Sequence, residues 1–75
     1  MEQGMLWFDD DKHSELPQKV EQAAAYYLQK YGQMPNMCYI NPEMLPKKGD
    51  KIAKVALKAS PVILPHHFWI GVDED

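Results

Sequence analysis

At 75 residues the chain has room for one small domain and one core, and its single cysteine, Cys38, excludes both an intramolecular disulfide and a metal site built of cysteines alone. A net charge of −3 and the absence of arginine count against a dedicated nucleic-acid reader, because bidentate recognition of phosphate and guanine depends on guanidinium groups. No apolar run approaches the ~20 residues that cross a bilayer, and the acidic start Met1-Glu2-Gln3-Gly4 is unlike a signal peptide, so a soluble cytoplasmic protein is expected.

The first element is the apolar run Met5-Leu6-Trp7-Phe8, stopped by Asp9, Asp10 and Asp11, which reads as a brief strand leading into an acidic loop. Leu16, Val20, Ala23, Ala24, Tyr27, Leu28 and Tyr31 then recur at the spacing of an amphipathic helix, with Gln18, Lys19, Glu21, Gln22, Gln29 and Lys30 on its other side. Ser14 is placed to cap this helix, and Pro17 is tolerated in its first turn. Gly32 ends it and Pro35 blocks continuation. Met37-Cys38-Tyr39-Ile40 follows as a strand between Pro35-Asn36 and Asn41-Pro42, and the chain turns from Glu43 to Asp50.

Lys51 to Ser60 fits two periods. Alternation puts Ala53, Val55, Leu57 and Ala59 on one face and Lys54, Ala56 and Lys58 on the other, while Ile52, Val55, Ala56 and Ala59 also fit a helix. Close flanking turns favour the strand. Ser60 to Val72 is strongly apolar, with Pro61 and Pro65 forcing extended backbone, so it must be buried or serve as a contact surface. Phe68 to Val72 is the last strand, and Gly71 is placed to mark a bulge. The expected fold class is α+β: one amphipathic helix packed on a small, mostly antiparallel sheet of three to four strands, in the order β-α-β-β-β, with residues 1–75 forming one domain.

Histidine suits metal binding and general base chemistry, which draws attention to His66 and His67. Neighbours on a strand point to opposite faces, however, and Cys38 and His13 add no fixed ligand spacing, so no metal site is assigned. Asp9, Asp10 and Asp11 follow a strand as magnesium-binding carboxylates do, yet no phosphate-cradling loop accompanies them; a solvated acidic loop is expected, and no cofactor. No serine or cysteine has the setting of a nucleophile, and Cys38, between Met37 and Tyr39, reads as a small buried hydrophobe.

Two features remain. Lys47, Lys48, Lys51, Lys54 and Lys58 form a basic stretch that can hold phosphates, or that can simply protect a strand edge from aggregation. Trp7-Phe8, Tyr26-Tyr27 and Phe68-Trp69 are adjacent aromatics that cannot all face one small core. A sheet covered by a single helix leaves its second face open, and aromatic residues are typical of contact surfaces. The functional expectation is therefore a small cytoplasmic interaction or accessory module, not an enzyme. It would contact a protein partner, most simply a second copy of itself, through an aromatic sheet face or edge at His66, His67, Phe68 and Trp69. The alternatives are a non-specific nucleic-acid binder using Lys47 to Lys58, and a small metal-dependent enzyme.

Overall fold

The computed structural model describes residues 3–46 and 51–73. Along the chain run β1 (Gln3–Phe8), α1 (Leu16–Tyr31), β2 (Met37–Ile40), a single 3-10 turn (Pro42–Met44), β3 (Lys51–Ile52), β4 (Val55–Ala59) and β5 (His67–Val72). The strands make one five-stranded sheet in the order β1-β5-β2-β4-β3. The last strand is thus inserted between the first two. β5 runs antiparallel to both β1 and β2, while β2 and β4 pair in parallel. The α+β class holds, but the sheet is larger than expected and mixed.

The extra strand comes from Lys51 to Ser60, which is two strands and not one. Ile52 pairs with Val55 across a two-residue turn, and the turn residues Ala53 (φ 52°) and Lys54 (φ 64°) are both left-handed. Tight hairpins need this conformation because its twist matches that of the strands. Glycine or asparagine normally supplies it, so this turn carries no sequence signature. Reversal at the hairpin is what sends β4 back alongside β2 in parallel.

Strand alternation sorts the side chains into two layers. Met5, Cys38, Ile40, Val55, Leu57, Phe68 and Ile70 face α1 and form the core with Val20, Ala23, Ala24 and Tyr27. Trp7, Leu16, Tyr31, Met44, Leu45, Ile52 and Val72 pack around this cluster, half-buried. β5 is largely apolar on both sides, as befits a strand between two others, and Gly71 keeps its register with Gly4 and Met37, its carbonyl accepting from the Asn36 N–H where the β2 pairing ends.

The helix matches its predicted span with three local corrections. Its N-cap is Glu15, whose backbone N–H donates to Gln18 Oε1, while the Ser14 hydroxyl donates to Asp11 Oδ2 instead of capping. Lys19 is buried rather than solvated, its amine donating to the Asp9 carbonyl at 3.3 Å. Leu28 lies on the flank of the apolar stripe and is largely exposed. Gly32 closes the helix in the left-handed conformation (φ 73°), its N–H donating to the Leu28 carbonyl.

Two asparagines bind the loops to the sheet. The Asn36 side chain exchanges both of its hydrogen bonds with the Asp73 main chain, extending the β2–β5 ladder by one rung. Asn41 accepts from the Glu43 N–H and donates to the Ile63 carbonyl, tying the 60–66 segment to the 3-10 turn.

Candidate functional site

α1 covers one face of the sheet. On the other face, cross-strand register aligns the side chains in rows. One row runs Leu6, Trp69, Tyr39, Lys58; beside it run Gly4, Gly71, Met37, Ala56, Lys51; and Phe8 pairs with His67. Among the described strand residues, none on this face is acidic. Leu6 is 58% exposed and Phe8 56% exposed, whereas Trp69 and Tyr39 are half-buried against one another's strands. The result is an apolar patch over β1, β5 and β2, bordered by Lys58 and Lys51 on the far side.

Gly4 fixes the shape of this patch. A Cβ at that position would lie 2.6 Å from Trp69 Cε2, so the indole lies across the bare backbone of its diagonal neighbour. Only glycine allows an indole to lie that low on the sheet. Phe8 and His67 meet with ring centroids 4.8 Å apart. His67 Nδ1 is 3.0 Å from the Pro65 carbonyl, and since a carbonyl can only accept, this nitrogen carries the proton.

The residues singled out from sequence therefore separate. Trp69 and His67 lie on the open face, but Phe68 is fully buried in the core and cannot contact a partner. His66 is exposed in the loop before β5 in a left-handed conformation (φ 67°), its N–H directed at Met44 Sδ and its carbonyl accepting from the Asp9 N–H. Lys51 and Lys58 reach the open face and Lys54 occupies the hairpin turn, while Lys47 and Lys48 lie outside the described residues. Leu6, Phe8 and Tyr39 complete the patch, and Met37, on the same face, is buried beneath it. Period-two alternation shows which of these share a face, but it does not show which face the helix leaves uncovered.

Other candidates are dispersed. Cys38 is buried on the helix-facing side, opposite to His67, and desolvation pushes its thiol up to about 12. Asp11 is held below the usual carboxylate range by the His13 N–H and then the Ser14 hydroxyl, with a smaller contribution from Lys19; the Asp11 N–H in turn donates to Asp9 Oδ1. The acidic loop is thus a folded lead-in to α1. Among the described residues, no three histidine, cysteine, aspartate or glutamate side chains gather as a metal site would require. No described helix is long and apolar enough to cross a membrane. Val62 (82% exposed) and Leu64 (65% exposed) show that the proline-bounded segment is a surface loop and not core.

Comparison of this chain with protein-family models, with curated proteins and with solved structures finds no match, so the function rests on the geometry of this open face.

Proposed function

We propose that this chain is a small non-enzymatic interaction module of the cytoplasm that self-associates through the open face of its sheet and the edge bordering it. The observation that carries this reading is the Leu6-Trp69-Tyr39 row with Phe8 beside it, an apolar aromatic surface on the side of the sheet away from α1 in which Leu6 and Phe8 are more than half exposed. Contiguous patches of this kind mark interaction sites, and tryptophan and tyrosine contribute disproportionately to binding. A chain of this size also gains stability by pairing, having no disulfide to restrain it.

Native mass spectrometry and sedimentation at several concentrations test the reading. The wild-type chain is expected to dimerise, and Trp69→Ala to weaken the dimer by tenfold or more, equivalent to at least ~1.4 kcal/mol. A wild-type chain that stays monomeric at its highest soluble concentration overturns it.

One observation favours a second reading. Lys58 is the direct neighbour of Tyr39 in the central row, and Lys51 lies on the same face. Cations beside stacking aromatics are what single-stranded nucleic acid requires. Titration of a labelled single-stranded oligonucleotide at two salt concentrations separates the readings: salt-sensitive binding that Lys58→Glu abolishes supports the nucleic-acid role.

A further inference from the structure

The two edges of this sheet are built differently. β3, at one edge, is only two residues long and begins with Lys51, features that discourage strand addition. β1, at the other, has six residues, Gln3-Gly4-Met5-Leu6-Trp7-Phe8, with no charge and no proline, and its ladder to β5 is unbroken. The Asp9 N–H donates to the His66 carbonyl in the same register, which fixes the hydrogen-bonding alternation of the whole strand. Met5 and Trp7 therefore direct their main-chain groups inward to β5. Gly4, Leu6 and Phe8 direct theirs outward, where no described strand meets them.

We propose that β1 pairs antiparallel with β1 of a second copy of this chain, in the register that sets Leu6 against Leu6 and Gly4 against Phe8, joining two sheets edge to edge. The inference rests on the self-association reading and names how it occurs. Three considerations select a second copy as the occupant. The outward groups belong to Gly4, Leu6 and Phe8, spaced symmetrically about Leu6, so a twofold axis there lets all three residues form hydrogen-bonded pairs. The same register brings the exposed Phe8 ring opposite Gly4 of the second copy, where it meets the Trp69 indole that already fills the space over that glycine, so aromatic faces aromatic across the seam. It also makes the Leu6-Trp69-Tyr39 rows of both copies continuous, converting a lateral patch into the centre of a wide sheet. On the helix-covered face the seam sets Met5 against Trp7, whose ring meets the half-exposed Tyr26 in a tilted contact with centroids 5.2 Å apart.

Cysteine cross-linking in the full chain tests the register. Directly opposed Cα atoms in a hydrogen-bonded pair are about 5.5 Å apart, within disulfide reach, while residues four positions out of register are far beyond it. Leu6→Cys is expected to form a covalent dimer on mild oxidation, and Phe8→Cys to remain uncross-linked, with the native Cys38 buried and silent in both. Leu6→Pro, which removes an outward N–H at an edge where proline is tolerated, is expected to weaken the dimer at least tenfold while leaving the circular dichroism spectrum unchanged. If the wild type dimerises but Phe8→Cys cross-links as fast as Leu6→Cys, or if Trp69→Ala breaks the dimer and Leu6→Pro does not, the edge pairing is wrong and self-association through the face stands. A wild-type chain that never dimerises overturns both.

Discussion

Burial raises the Cys38 thiol from its ordinary 9.0 to about 12, and that displacement has a consequence for stability. Between those values the unfolded chain gives up its thiol proton while the folded chain keeps it. The folded state therefore binds more protons, and stability falls as pH rises through this window. The slope is at most about 1.4 kcal/mol per pH unit. Urea unfolding from about pH 8 to about pH 11 should show a steeper decline for the wild type than for Cys38→Ala, which has no thiol to titrate. Equal slopes would mean that the thiol ionises in place. The burial of Cys38 is legible from its place in the wholly apolar run Met37-Cys38-Tyr39-Ile40, where a free thiol behaves as a small hydrophobe. The low-lying indole at Trp69 is not legible in this way. It depends on Gly4, whose partnership with Trp69 arises only when β1 and β5 come together.

At the scale of elements, the β3–β4 hairpin is the weak joint of the fold. Ala53 and Lys54 are both held in the left-handed region, which costs non-glycine residues roughly 1–2 kcal/mol each. The double substitution Ala53→Asn with Lys54→Gly puts the preferred residues at positions that already have the required backbone. After the greater unfolded-state freedom of glycine is subtracted, a gain of about 1 kcal/mol in unfolding free energy is expected. An unchanged or lower midpoint in thermal or urea unfolding would show that the turn is not strained. The same joint explains why the sequence pattern implies one strand where two exist. Alternation through Val55, Leu57 and Ala59 is present in the fold, but a hairpin without glycine or asparagine is indistinguishable from an uninterrupted strand. The helix suffers no such ambiguity, since seven apolar positions at helical spacing and a glycine–proline stop agree with one another.

Among the described residues, α1 covers one side of a five-stranded sheet, and the other side meets the outer edge of β1 at the exposed Leu6 and Phe8. A chain that associates through this region is stabilised by mass action, so its melting temperature should rise with protein concentration. In Leu6→Pro that dependence should vanish even if the variant's melting temperature at low concentration is close to that of the wild type. A wild-type melting temperature that does not change with concentration would place the dimer, if one forms, outside the folding equilibrium.

By itself the sequence determined the helix and its glycine stop, the existence of apolar strands before and after it, the burial of Cys38 and the α+β class. All of these follow from local periodicity and from the backbone preferences of glycine and proline, which act over a few residues. Only the tertiary structure decided that β5 enters between β1 and β2, that Phe68 faces the core while Trp69 faces out, and that β1 stands at the end of the strand order among the described residues. Those outcomes depend on which strands pair and which face the helix takes. They are set by packing between segments at opposite ends of the chain, such as Gln3 with Val72, and no local pattern encodes it.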